Sequence, residues 1–281
     1  MINVGCHVSI AKSIDLAVGR AAERGCTTFQ IFTSNPRGWK AREIKEEEAE
    51  KFIKNIKESG IYPPIAHMPY LPNPASPREE VQQKSTEVML REVKRCRMLK
   101  IPYLVTHPGS HLGAGREDAI KRFTECIDLA SEESEGEVML LLENTAGTNN
   151  SMGGDIEDIA EIIDNLSDSS GVGICIDTCH AFAAGYDITT EEGLSSFLEL
   201  TDSEVGPERL KVIHLNDCKG ALGSHLDRHE HIGLGNIGDE AISRIVNHPK
   251  LRDIPFILET PVNEERGDAE NIAHVKSLFR E

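Results

Sequence analysis

The chain has 281 residues, 39% of them hydrophobic, and a formal net charge of −17 at neutral pH. No apolar stretch approaches the roughly 20 residues a membrane-spanning helix needs. Met1-Ile2-Asn3-Val4-Gly5-Cys6 shows no basic region followed by an apolar core, and seven cysteines without a Cys-x-x-Cys pair fit reduced thiols rather than a disulfide framework. These totals argue against a membrane protein or a secreted disulfide scaffold, and the expectation is a soluble, intracellular, cytoplasmic protein. The acidity means that any nucleic-acid partner would need a local cationic surface.

Taken in chain order, a first strand is predicted over 2–7, ending at His7, and a second over 28–32, followed by the polar loop Asn35-Pro36-Arg37-Gly38-Trp39. A helix fits 44–59, with Phe52, Ile53 and Ile56 at helical spacing and Gly60 as its stop. The third strand, Pro64-Ile65-Ala66-His67, leads into residues 68–77, whose four prolines forbid regular helix and suit a stiff loop that presents side chains. Helices over 78–99, 117–131 and 156–166, the last with Asp155 as N-cap, precede strands ending at His107, Glu143 and Asp177. Residues 178–185 read as a short helical turn stopped by Gly185. The seventh strand ends at His214, a Gly-rich loop fills 216–238, the last strand ends at Glu259, and a closing helix fits 269–279. Loops as long as 216–238 inside a compact domain are commonly functional. The runs Glu46-Glu47-Glu48 and Glu132-Glu133 fall in helical stretches and read as solvated outer faces.

Six apolar runs thus end in His67, His107, Glu143, Asp177, His214 and Glu259, spaced 40, 36, 34, 37 and 45 residues apart. Each interval has room for a strand, a helix and two loops, so the pattern is a repeated βα unit. It predicts an α/β fold, a (β/α)8 TIM barrel forming a single domain over 1–281, with its functional side chains at the C-terminal face of the strands. Two local spacings add ligands: Asp177 and His180, at i and i+3, share one side of a helical turn, and Asp227 and His229, at i and i+2, share one face of extended chain. Any one of these histidines alone reads best as a hydrogen-bonded core residue, but six strand ends finishing in this way define a metal site. Nine candidates, with three or four per catalytic ion, suit two or three metals. Imidazole and carboxylate without thiolate favour zinc and leave manganese or iron open. Cys175, Cys179 and Cys218 read as packing residues. His7 reads as a hydrogen-bond partner of the site, and His111, His248 and His274 as surface residues.

The stretches Glu143-Asn144-Thr145-Ala146-Gly147, 173–187, His214-Leu215-Asn216-Asp217-Cys218-Lys219, 223–238 and Leu258-Glu259-Thr260-Pro261 make the sequence resemble the endonuclease IV family of metal-dependent apurinic/apyrimidinic endonucleases. The resemblance implies a trinuclear zinc site. His67 and His107 would hold the first ion and share Glu143 with the second, Asp177, His214 and Glu259 would complete the second, and His180, Asp227 and His229 would hold the third. Three divalent ions would bring the formal charge to −11. The implied activity is DNA repair: a metal-activated hydroxide hydrolyses the phosphodiester 5′ to an abasic site in duplex DNA, leaving a 3′-hydroxyl and a 5′-deoxyribose phosphate. Glu143 and Glu259 are the expected positioners of the attacking water. Arg37, Tyr70 and Leu71 match positions where the family inserts side chains at the lesion. Gly38 and His231 depart from the family pattern. A monomer without a membrane or protein partner is expected. The rival reading is a metal-dependent sugar isomerase or epimerase of the same barrel superfamily. It suits the acidic charge but has no use for the third ligand set.

Overall fold

A computed structural model describes residues 2–280. Eight of its strands are short, buried and parallel: β1 (Val4–Cys6), β2 (Phe29–Phe32), β3 (Pro64–His67), β4 (Tyr103–Thr106), β5 (Met139–Glu143), β6 (Val172–Asp177), β7 (Leu210–His214) and, after the antiparallel pair β8 (Asp217–Cys218) and β9 (His229–Glu230), β10 (Phe256–Leu258). The ladder runs β1-β10-β7-β6-β5-β4-β3-β2. The ring closes between β1 and β2 through an isolated His7–Gln30 bridge, with Val8 N–H donating to Gln30 O (2.8 Å) and Thr27 N–H to Val4 O (2.9 Å). Backbones meet so closely there that a Cβ on Gly5 would lie 1.7 Å from Thr28 O, so only glycine fits.

The helices outside the ring are α1 (Leu16–Glu23), α2 (Glu46–Ser59), α3 (Glu79–Leu99), α4 (Arg116–Ser134), α5 (Ile156–Asp164), α6 (Thr178–Ala184), α7 (Glu191–Glu204), α8 (Gly238–Asn247) and α9 (Asp268–Leu278). This is the (β/α)8 barrel expected from the spacing. The sequence reading located α2 to α6 and α9 to within a few residues but did not place α1, α7, α8 or the β8–β9 pair. Gly60 and Gly185 stop α2 and α6 in the left-handed conformation, as anticipated.

One local reading holds in position, and another is corrected. Asp155 occupies the N-cap of α5 without a capping bond of its own, and Tyr186 Oη instead accepts from Ile156 N–H (3.1 Å). Glu48 is more than a solvated surface acid: it accepts from Lys45 N–H (3.1 Å), Ser13 Oγ–H (2.9 Å) and both terminal nitrogens of Arg42 (2.6 and 2.8 Å). It therefore fastens the start of α2 to the loop after β2.

Side chains alternate along a strand, so residues two apart share a face. Ile65, Val105, Leu141, Cys175, Val212 and Ile257 form a cluster of their own inside the barrel, all at 0% exposure. Burial of each such aliphatic side chain stabilises the fold by about 1.5–3 kcal/mol. Two residues further on, each strand delivers His67, His107, Glu143, Asp177, His214 or Glu259. One apolar layer is thus the floor on which a polar layer stands. A larger apolar shell, with Phe29, Phe52, Phe123 and Phe256 fully buried, joins the strands to the helices.

Candidate metal centre

The polar layer divides into overlapping groups whose ligand atoms lie within 4.8 Å of one another: His67, His107 and Glu143; Glu143, Asp177, His214 and Glu259; and His180, Asp227 and His229. Glu143, at 0% exposure, belongs to two of them. One of its oxygens faces His67 Nε2 and His107 Nε2, each at 3.0 Å, and the other faces His214 Nδ1 at 2.8 Å. Asp227 Oδ1 stands 3.2 Å from His180 Nε2 and 3.5 Å from His229 Nε2. Asp177 also comes within 4.8 Å of His229 and Cys179. All seven cysteines are buried free thiols, as the sequence indicated, and Cys175 belongs to the apolar floor.

Most of these imidazoles are tied at the nitrogen that points away from the group. His67 Nδ1 meets Met68 O (2.7 Å), His180 Nδ1 meets Asn144 O (2.9 Å), His229 Nδ1 meets Glu259 O (3.0 Å), and His214 Nε2 meets Gln30 Oε1 (2.9 Å). A carbonyl oxygen can only accept, so each tied nitrogen carries a proton and the other faces inward, where loss of its own proton leaves the lone pair a metal requires. Two inward nitrogens, His107 Nε2 and His229 Nε2, are buried without a hydrogen-bond partner among the described residues. Buried polar atoms seldom go unpaired, and unpaired nitrogens facing carboxylates fit cation binding. The donor set suits one or more metal ions.

The carboxylates are held as firmly. Asp177 ends β6 and caps α6, accepting from His180 N–H (2.8 Å), so one residue fixes the direction of its neighbour in the site. Asn144 Oδ1 accepts from Asp177 N–H (2.7 Å). Asn216 donates to Asp177 Oδ2 (2.7 Å) and accepts from Glu259 N–H (2.8 Å). Gln30 Nε2 donates to Glu259 Oε1 (2.7 Å) and lies 3.1 Å from His7 Nδ1. His7 therefore stands beside the site as a hydrogen-bond partner, as expected. The roles of Gln30, Asn144 and Asn216 were not seen in the sequence. The signal for Gln30 was an amide in the inward register of a strand.

Burial works against charge throughout this layer, but the charges support one another. His180 rises to about 10 despite its burial, because Asp177, Asp227 and Glu143 favour the imidazolium. Burial likewise disfavours charge on His214, which is nonetheless raised by its acidic neighbours. Glu143, which burial pushes up, is held well below the usual carboxylate range by His214 and His107. In the absence of metal, protons on imidazole balance the carboxylates.

Of the residues expected to contact DNA, Tyr70 and Leu71 line this mouth. Tyr70 and Leu71 are 65% and 41% exposed, and the Tyr70 ring sits edge-on to Phe32 at 5.1 Å. Arg37 is exposed on the loop after β2. Beneath that loop Glu92, at 0% exposure, accepts from Ser34 Oγ (2.9 Å) and Arg91, while Arg95 donates to Arg42 O (2.8 Å). A cavity of about 300 Å³ opens between Tyr70, Leu71, His67, His107, His180 and Asp227. Of the remaining histidines, His231 is buried between Asn271 (3.0 Å) and Asn263 (3.1 Å), and His225 lies against Ala146 O (3.0 Å). No described helix is long and apolar enough to cross a membrane.

Fold and site together define a xylose isomerase-like TIM barrel with side-chain clusters able to hold metal ions, and the model of that family matches residues 18–278. A protein of Methanoculleus marisnigri called probable endonuclease 4 is 54% identical over 279 residues, 99% of each chain. The crystal structure of endonuclease IV from Thermus thermophilus superposes with a TM-score of 0.86 at 36% identity, covering 98% of each chain. The chain belongs to the endonuclease 4 family. A D-tagatose 3-epimerase-like protein, at 19% identity and a TM-score of 0.74 over 99% of this chain and 97% of its own, shares the fold alone.

Proposed function

We propose that the protein hydrolyses the phosphodiester bond 5′ to abasic sites in duplex DNA, leaving a 3′-hydroxyl and a 5′-deoxyribose phosphate. As a member of the endonuclease 4 family it is a nuclease, an enzyme of phosphodiester cleavage. The observation that carries the finer reading is the convergence of nine imidazoles and carboxylates into three linked groups at the barrel mouth. We assign His67, His107 and Glu143 to a first zinc ion, Glu143, Asp177, His214 and Glu259 to a second, and His180, Asp227 and His229 to a third, with manganese or iron as substitutes. Bound divalent cations supply Lewis acidity, which activates water and offsets charge on the phosphoryl group.

The chain's own residues would do the rest. Glu143 and Glu259 are acceptors aimed into the layer. Glu259, whose side chain is 17% exposed, is the one open to solvent and so the better placed to orient an incoming water. His214 lies between them, 2.8 Å from Glu143 and 3.4 Å from Glu259, and keeps both carboxylates turned inward. Arg37, Tyr70 and Leu71 would fill the gap left in the duplex once the base-less nucleotide turns outward, a movement made easier by the missing stacking. The cavity of about 300 Å³ is at the small end for ligand sites, which suits a sugar phosphate without its base. Exposed Arg37 and Lys40 supply local positive charge to an otherwise acidic molecule, which we take to act as a single-domain monomer.

The test is cleavage of a duplex containing one tetrahydrofuran abasic analogue by a preparation whose metals are counted. The analogue cannot undergo β-elimination, so a nick on its 5′ side with about three metals per chain supports hydrolysis by this site. An intact duplex at full metal occupancy overturns the reading, and conversion of a ketose by the same preparation would identify the epimerase alternative.

A further inference from the structure

Two members of the third ligand group ride on an arm of the loop between β7 and α8. Residues 221–228 of that arm are exposed, and the side chain of Asp227 is itself 53% exposed, yet its carboxylate is held 3.2 Å from His180 Nε2. The tip of the arm rests on α6, through Gly223 N–H to Phe182 O (3.1 Å) and His225 N–H to Ala183 O (2.9 Å). Its base depends on Asp217, a carboxylate at 0% exposure that the site described above does not use.

Asp217 faces five backbone donors. Its Oδ1 accepts from Cys218 N–H (2.8 Å) and Ile237 N–H (2.9 Å), and its Oδ2 from Gly233 N–H (3.0 Å), Gly235 N–H (3.0 Å) and Gly238 N–H (3.2 Å). The donors come from both ends of the loop, so the carboxylate draws the outgoing and returning strands together. It also satisfies amides at the start of α8, where the N-cap residue, Ile237, offers no side-chain acceptor. The glycines serve this arrangement: a Cβ on Gly235 would lie 2.4 Å from Asp217 Oδ1, and Gly233 and Gly238 have φ of +80° and +77°. From this clasp the register is passed outward. Asp217 pairs with Glu230 and Cys218 with His229 across the β8–β9 ladder, and Lys219 N–H donates to Arg228 O (2.9 Å).

We propose that Asp217 is a positioning residue for the third ligand group: its buried carboxylate gathers residues 218–238 and so sets where His229 and Asp227 meet His180. The inference rests on the reading of His180, Asp227 and His229 as one metal group. Asp217→Asn keeps the shape but turns an amide N–H₂ toward donors that need acceptors. After removal of free metal, the variant should retain about one ion fewer per chain than the wild type. Trypsin should cut after Lys219 and Arg228 at least tenfold faster, and lost cleavage activity should recover as free metal is raised. Should Asp217→Asn fail to fold, Gly235→Ala leaves the carboxylate in place while crowding it, and the same changes are expected. A wild-type metal count in Asp217→Asn, beside a lowered count in His180→Ala, overturns the proposal alone. An unchanged count in His180→Ala overturns the metal-group reading and this proposal with it.

Discussion

Replacing Gln30 by leucine removes an amide that touches two candidate metal ligands while nearly conserving volume. Gln30 Oε1 receives His214 Nε2–H at 2.9 Å and Gln30 Nε2–H donates to Glu259 Oε1 at 2.7 Å. His214 is fully buried, so its orphaned N–H costs about 1–3 kcal/mol. The ring would recover part of that by adopting the other tautomer or turning, and either change withdraws Nδ1 from the second group. Loss of such outer partners lowers metal affinity or activity by about 10–100-fold, equivalent to about 1.4–2.8 kcal/mol, in agreement with the hydrogen-bond figure. Competition against a chromophoric chelator reads the affinity, and cleavage at saturating metal reads any residual loss in turnover. Affinity within about twofold of wild type would refute the reasoning, because His214 and Glu259 would then be oriented without Gln30.

Glu259→Gln should leave the fold and Tm nearly unchanged and lower turnover by about 100-fold or more; near-normal cleavage by a metal-replete variant would remove its water-positioning role. Tyr70→Ala should weaken binding to abasic duplex by about 1–3 kcal/mol with the metal count unchanged, and equal affinities for the two proteins would leave Tyr70 as a lid on the barrel. In the metal-free chain, His180 has a folded pKa of about 10 against an ordinary value of 6.5, so its stabilising contribution is complete below about pH 6.5 and is lost as pH rises through about 10. Melting temperature in chelator should therefore fall across that window. Metal binding at neutral pH should release protons, read as a dependence of calorimetric heat on buffer ionisation enthalpy. A flat melting profile with no proton release would contradict the charge balance described for this layer.

The cluster of candidate ligands was legible in sequence because the barrel gives strand ends a common destination. His67, His107, Glu143, Asp177, His214 and Glu259 each follow an apolar residue two positions earlier, and that two-residue step is visible without coordinates. The parts that escaped were those whose function depends on partners far away in the chain. Gln30 is an unremarkable amide until β2 brings it against His214 and Glu259. Asp217 looks like any loop acid until 233–238 folds back over it. Among helices, α1 is short and rich in alanine, and α7 begins at Glu191 directly after a Thr-rich turn, so neither has the long amphipathic repeat that marks α3 or α4. The Glu48 case runs the other way: charge patterning assigned it to solvent, whereas Arg42, Ser13 and Lys45 converge on it once α2 and the loop after β2 are in place.

The junction between β1 and β2 links mechanical opening of the barrel to loss of its chemistry. Seven neighbouring strand pairs share ladders, while this one is fastened by the bridge at Gln30, whose side chain also braces His214 and Glu259. Transient parting of β1 from β2 would move the backbone of Gln30 and slacken the cluster in the same motion. Thermal inactivation should then begin below the temperature at which helical signal is lost. Bound metal, by gripping His214 and Glu259, would quench that breathing from inside the barrel, and amide exchange at Val8 would report it.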